Sequence, residues 1–289
     1  MKTIQEVIRE AESRKVAVGH FNISDIVALR AISEAAGEIG VPVIIGTSEG
    51  EGDFMGREQV VALIRSLRED GLDIFLNSDH THSLEKAEEA ARDGYDAVLF
   101  DGGKLPFEEN KARTREAVSR IKSINPEIIV EGEIGYIGSS SELLKSLPEG
   151  AAVRKEDFTT PEQAREFIKA TGVDLLAPAV GNIHGMLMGA KEPALDIERI
   201  REIRKAAGVP LVLHGGSGLS DEDFLAAIDA GVSVIHINNE IRVAWRHGLE
   251  KGLGKKLGEV APYKILPEAL QEIKEIVRKR LRLFNKISS

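Results

Sequence analysis

Six of the seven histidines in this 289-residue chain, His20, His80, His82, His184, His214 and His236, lie in or just beyond strand-like segments; only His247 sits in a helical stretch. Imidazole binds metals and titrates near neutral pH, so histidines gathered at one rim can hold a cation or move protons. Context singles out three of them. His80 ends Asn77-Ser-Asp-His80, His184 stands in Gly181-Asn-Ile-His-Gly185, and His214 closes Pro210-Leu-Val-Leu-His214. Three neutral imidazoles with an open position are the pattern of a catalytic zinc, and three separate core histidines are the alternative. Asp79 either exchanges a proton beside a metal-bound substrate or merely orients a neighbouring histidine. Glu131 and Glu133 occupy alternate positions of Val130-Glu-Gly-Glu-Ile-Gly135 and so face the same way on a strand. Buried there, they need a metal or ligand, or else a lysine or arginine. The glycine-rich Gly215-Gly-Ser-Gly218 leads into a helix signal at Ser220, and Ile237-Asn-Asn-Glu240 precedes another helix. Both turns suit a phosphate, because backbone N–H groups and a helix N-terminus attract an anion.

Bringing these residues together requires a scaffold. Strand-like runs fall at 16–22, 41–48, 72–80, 97–103, 128–135, 175–180, 210–216 and 232–238. Amphipathic segments lie between them at 25–38, 57–69, 83–93, 108–124, 161–170, 197–207 and 220–230. Eight βα units predict a (β/α)₈ barrel, in which all strand carboxyl ends converge on one mouth. A doubly wound open sheet, the rival, would string them along an edge. Thr3 with Glu6 forms a capping box for a short N-terminal helix that plugs one end, and residues after Leu249 form a C-terminal helical extension ending with 267–284. The stretch 137–159, rich in Ser, Gly, Pro and charge, reads as a lid, and no linker marks a second domain within 1–289.

The net charge of −9 and a sequence pI near 5.4 argue against nucleic acid as a partner. The chain has no cysteine, so a transition-metal site must use histidine and carboxylate. The start lacks an apolar signal region and no run approaches the ~20 apolar residues of a membrane span, so a soluble cytoplasmic protein is expected.

Asp79-His80, Glu133-Ile-Gly135, Gly181-Asn-Ile-His-Gly185, Leu213-His-Gly-Gly-Ser-Gly218 and Asn238-Asn-Glu240, in this order, resemble the class II zinc-dependent ketose-bisphosphate aldolases, which include fructose- and tagatose-bisphosphate aldolases. Leu105-Pro-Phe-Glu-Glu-Asn110 and Thr171-Gly-Val-Asp-Leu-Leu176 extend the resemblance from about Asn22 to the tail. It implies that His80, His184 and His214 bind Zn2+ or another divalent transition metal, with Glu133 at an alternate metal position. Asp79 is then the acid/base at the aldehyde-side oxygen. Gly185, Gly215, Gly216, Ser217, His236, Asn238 and Asn239 hold dihydroxyacetone phosphate, with Asn22 and Ser48 nearby. The implied reaction is the glycolytic type of cleavage, a phosphorylated ketose giving dihydroxyacetone phosphate and an aldehyde, in a homodimer or homotetramer.

Several positions depart from the family pattern. His236 and Asn239 stand where the family usually has Asn and Thr, Thr81 replaces a glycine, and Gly46 replaces a glutamine. The loop Gly138-Ser-Ser-Ser-Glu142 displaces the family's glutamate by one residue. The C-terminal arginine motif for the distal phosphate is not matched; Arg278, Arg280 and Arg282 are the substitutes considered. Two alternative functions follow: a metal-dependent barrel hydrolase, suggested by His80-Thr-His82, and a catalytically silent sugar-phosphate-binding homologue.

Overall fold

The computed structural model describes residues 2–138, 143–187 and 193–288. All eight expected strands form, as β1 Val18–Asn22, β2 Val43–Ser48, β3 Ile74–Thr81, β4 Ala97–Phe100, β5 Ile129–Ile134, β6 Leu175–Pro178, β7 Leu211–Leu213 and β8 Val232–Ile237. They pair in parallel and in chain order, and β1 pairs with both β2 and β8, so the sheet closes. Closure removes the open-sheet alternative and turns every strand's carboxyl end to one mouth.

Side chains alternate along a strand, so the barrel interior is filled in layers. Val18, Ile44, Phe75, Ala97, Ile129, Leu175, Val212 and Val234 form an apolar layer that packs on Ile4, Val7, Ile8 and Ala11 of α1 Ile4–Arg14. The N-terminal helix is therefore a plug for the end opposite the mouth, started by the expected Thr3–Glu6 capping box. Two residues further along, the same face carries His20, Gly46, Asn77, Glu131, His214 and His236. Two further still come Asn22, Ser48, Asp79, Asp101 and Glu133. The change from apolar to polar along each strand places the chemistry at the top of the barrel.

The helices around the barrel are α2 Ile26–Ile39, α3 Glu49–Met55, α4 Arg57–Glu69, α5 Leu84–Asp93, α6 Phe107–Ile124, α7 Pro161–Thr171, α8 Ile197–Ala207, α9 Asp221–Ala230, α10 Asn239–Lys255, α11 Pro262–Ile265 and α12 Pro267–Phe284. Two differ from the sequence reading. Ser48 and Glu51 form a capping box that starts α3, which hydrophobic periodicity does not reveal because the helix is short and glycine-rich. The helix expected at Asn238-Asn-Glu240 starts at Asn239 and runs unbroken past Leu249, where the extension was expected to begin, burying a stripe of Ile241, Ala244, Gly248 and Gly252. In the stretch 137–159, Leu143–Leu144 pairs with Met186–Leu187, and Ala152 donates its N–H to the Tyr136 carbonyl at 2.7 Å. The described parts of the expected lid are thus tied to the barrel. Residues 139–142, and with them Glu142, lie outside the described residues.

The extension covers the barrel. Ile273, Val277, Leu281 and Phe284 of α12 join the main core, and α10 approaches so closely that a Cβ on Gly248 would lie 2.4 Å from the Ala269 Cα. A methyl group there forces the two helices apart. Gly248→Ala should therefore destabilise the fold by about 1–3 kcal/mol in urea unfolding, with an unchanged m value.

Candidate metal and phosphate-binding centre

Consecutive residues of a regular strand face opposite sides, yet Asp79 and His80 both enter the mouth. The backbone explains this: His80 adopts φ of 52°, and the β3–β4 register shifts between Ser78 and Thr81. A bulged, left-handed residue turns the second side chain inward, a strain of roughly 1–3 kcal/mol that neighbouring contacts must hold. One such contact is the His80 Nδ1–H, which donates to Asp101 Oδ2 at 2.8 Å. Asp101 is in turn fixed by the Gly103 N–H at 2.9 Å.

Donor atoms of His80, Glu133, His184 and His214 all lie within 4.8 Å of one another. His184 Nδ1–H donates to the Gly138 carbonyl at 2.8 Å, which leaves Nε2 with its lone pair. His214 Nε2–H donates to Glu131 Oε1 at 2.8 Å, which leaves Nδ1 with its lone pair. These two lone-pair atoms converge at 3.4 Å, beside a buried Glu133 Oε2 that has no hydrogen-bond partner. Two imidazole lone pairs and an orphaned carboxylate oxygen fit a cation, and nitrogen with oxygen donors suits zinc and its neighbours in the transition series. Glu131 thus belongs to a histidine rather than to a lysine or arginine. It has the orienting role that carboxylates take behind metal-binding imidazoles.

The electrostatics agree. Burial, with His80 and His214 nearby, pushes His184 down to about 3, keeping it neutral. Burial also lowers His80, but Asp79, Asp101 and Glu133 outweigh it and raise it to about 10. Burial and the Asp101 charge push the Glu133 carboxyl well above its usual range. Asp79 goes the other way: burial opposes its ionisation, and the surrounding histidines, His80 first, overcome this and hold it well below the usual range. Asp79 Oδ2 accepts the Asn22 amide N–H at 2.9 Å, and its Oδ1 lies 3.4 Å from His236 Nδ1.

His236 is held by a stack not anticipated from sequence. His20 and His236 are register partners on adjacent parallel strands, and their rings lie 3.5 Å apart and 3° from parallel. His20 fits because position 46 is glycine; a Cβ there would lie 2.2 Å from its Cε1. Asn77 Nδ2 lies 3.1 Å from His20 Nε2 on the other side. His20, Asp79 and His236 also cluster, but parallel rings cannot both aim in-plane lone pairs at one ion, so this trio does not suit a metal.

One pocket is lined by Asn22, Asp79, His80, His184, Gly185, His214, Gly215, Gly216, Ser217, His236, Asn238 and Asn239. Gly215 has φ of +61°, and a Cβ on it would lie 2.1 Å from the Ile183 carbonyl oxygen, so the turn requires glycine. Ser48 is not among the lining residues; its hydroxyl donates to Glu51 at 3.0 Å as part of the α3 cap. The C-terminal arginines also lie elsewhere. Arg280 pairs with Glu240 at 2.7 Å and Asp221 at 2.8 Å, Arg278 with Glu38 at 2.6 Å, and Arg282 with the Ser288 carbonyl at 2.8 Å. Arg280 acts from behind, neutralising Glu240, which accepts the Gly218 N–H at 3.1 Å. The His82 side chain is 56% exposed and 3.7 Å from Asp101, outside the metal cluster, which removes the clue for a hydrolase. His20, Asp101 and Glu51 were missed as site residues. The first two stand at strand ends, and Glu51 shows only through its capping spacing.

The family model for class II fructose-bisphosphate aldolase matches residues 2–288. The chain is 35% identical over 286 residues to the fructose-bisphosphate aldolase of Geobacillus stearothermophilus, covering 98% of this chain and 96% of that protein. The fructose-bisphosphate aldolase of Staphylococcus aureus (strain Mu50) is 32% identical over the same shares. Among solved structures, the YdjI aldolase of Escherichia coli K12 superposes with a TM-score of 0.82 at 28% identity, over 98% of this chain and 97% of that one.

Two outcomes follow from the metal geometry. Glu131→Gln should lower zinc affinity about 10–100-fold in chelator competition while the fold is retained. The metal-free protein carries a proton on His80 at neutral pH, since its pKa lies at about 10, and binding must expel that proton. Zinc affinity should therefore rise from pH 7 to 9, with proton release seen by calorimetry in buffers of different ionisation enthalpy.

Proposed function

Since the chain belongs to the class II fructose-bisphosphate aldolase family, we propose that it reversibly cleaves a phosphorylated ketose to dihydroxyacetone phosphate and an aldehyde, using zinc or a similar divalent metal. The observation that carries this reading is the convergence of His80, Glu133, His184 and His214 beside the Gly215–Ser217 turn in one pocket. A divalent metal held by the three histidines, with Glu133 as the alternate donor, supplies Lewis acidity toward the ketose carbonyl oxygen. The protein's own groups do the rest. Backbone N–H groups at Gly215 and Gly216, with Ser217 and the Asn238–Asn239 turn, bind the phosphate that stays with the dihydroxyacetone half. Asp79, ionised and held by Asn22, takes the proton from the C4 hydroxyl as the C3–C4 bond breaks, and the bonding electron pair goes to the dihydroxyacetone half. The C4 oxygen leaves as the aldehyde carbonyl, C3 of the dihydroxyacetone half takes up a proton from water to give dihydroxyacetone phosphate, and Asp79 releases its proton to solvent; in condensation each proton moves the other way.

No helix among the described residues is long and apolar enough to cross a membrane. A cytoplasmic setting with small phosphorylated sugars as partners belongs to the same reading. So does a homodimer or homotetramer, supported by the exposed Leu257, Val260 and Tyr263.

The test is a coupled assay for dihydroxyacetone phosphate released from fructose and tagatose phosphates, with chelator and with added zinc. Release abolished by chelator and restored by zinc is the expected result; a metal-loaded protein that binds these sugars without release sinks the reading. Asp79→Ala should keep its metal and lose about 10²–10⁴-fold in kcat, whereas His80→Ala should lose the metal. Equal metal loss in both variants contradicts the assigned roles.

A further inference from the structure

A second cavity of about 320 Å³ adjoins the metal pocket and shares Asn22 and Asn238 with it. The Asn22 amide spans the boundary, donating to Asp79 at 2.9 Å on one side and to Glu51 at 3.0 Å on the other. A ketose anchored by its phosphate at Gly215–Ser217 and cleaved at Asp79 directs its remaining carbons past Asn22 into this cavity. On the reading of the pocket as an aldolase site, the cavity receives the aldehyde half of the substrate.

Its chemistry limits what that half can be. Phe54, 80% exposed, with Trp245 and Ile241 gives apolar walls on which the C–H faces of a sugar chain can lie. Asp25 fixes the indole: Oδ1 accepts the Ala28 N–H at 2.8 Å, and Oδ2 accepts Trp245 Nε1–H at 2.7 Å. Arg242 is the cation of the lining, and its guanidinium meets Glu51 Oε1 at 2.6 Å. Two carboxylates therefore oppose one guanidinium. The arginines of α12 are committed to Glu38, Glu240, Asp221 and the Ser288 carbonyl, away from this cavity. A phosphate dianion entering here meets a net negative lining in a partly desolvated space, whereas the hydroxyl groups of a sugar chain meet the guanidinium of Arg242 and the carboxylate of Asp25, whose two accepted hydrogen bonds leave it further acceptor capacity. We infer that this cavity is the subsite for an uncharged polyhydroxy chain, so that the preferred substrate is a ketose 1-phosphate with a neutral distal end rather than a bisphosphate.

Trp245 is the only tryptophan of the chain, so its fluorescence reports on this cavity. The zinc-loaded protein is titrated with a hexitol 1-phosphate and a hexitol 1,6-bisphosphate, which lack the carbonyl and cannot be cleaved, and binding is measured in parallel by calorimetry. The monophosphate should bind at least about tenfold tighter and change the Trp245 emission. Bisphosphate binding as tight or tighter, calorimetric binding with silent fluorescence, or no binding of either hexitol overturns the inference. Two variants test the cause with opposite signs: Glu51→Gln should narrow the preference and Arg242→Met should widen it. Unchanged preference in whichever variant folds also overturns it. Dihydroxyacetone phosphate release is scored separately. Release with a preference for bisphosphates defeats this subsite alone, and selective hexitol binding without release from any ketose phosphate defeats the aldolase reading alone.

Discussion

Carboxylates buried among histidines are the constraint on which the upper half of this barrel depends. Asp79, Glu131 and Glu133 are each nearly inaccessible, and no lysine or arginine reaches them among the contacts described. Their neighbours are imidazoles and an amide, among them His80, whose pKa is raised, and each carboxylate is held locally. Glu131 is satisfied by His214 and Asp79 Oδ2 by Asn22, while Asp79 Oδ1 and Glu133 Oε2 are buried without a hydrogen-bond partner and Glu133 is driven toward its neutral form. The His184 and His214 lone pairs converge beside Glu133 Oε2, a set of donors that would fit a cation.

That arrangement is held in depth. His80 faces the mouth only through a left-handed residue at a strand irregularity, tethered by Asp101. His184 is held by the Gly138 carbonyl and by its backbone N–H on the Ile137 carbonyl, so the segment after β5 fixes an imidazole carried by the loop after β6. The Gly215–Gly218 turn is held from behind through Glu240 and Arg280, which ties the C-terminal helix to the candidate site. Rigid support of this kind keeps binding groups in place without reorganisation during a reaction.

The His20–His236 pair shows how a substitution in one strand depends on its neighbours. Parallel register sets the two rings side by side, and Gly46 on the next strand leaves the space that His20 fills. Gly46 and His236 are therefore parts of one packing unit with His20. The same logic links Asn22, Glu51 and Arg242, where a helix-capping glutamate becomes the border between two cavities.

Sequence by itself determined the barrel, the plug, and which residues gather at the candidate site. Eight apolar runs separated by capped amphipathic segments leave few topologies, and strand ends in a closed parallel barrel converge whatever the side chains are. His80, His184, His214, Glu133 and the Gly215–Ser217 turn were legible for that reason. Tertiary structure decided what depends on distance between strands: which nitrogen of each histidine faces inward, that Glu131 serves His214, and that Ser48 caps a helix instead of lining the pocket. It also decided that Arg278, Arg280 and Arg282 turn away from the mouth. Register, bulges and ion-pair choice are set by contacts between segments far apart in the chain, and periodicity along one segment carries no information about them.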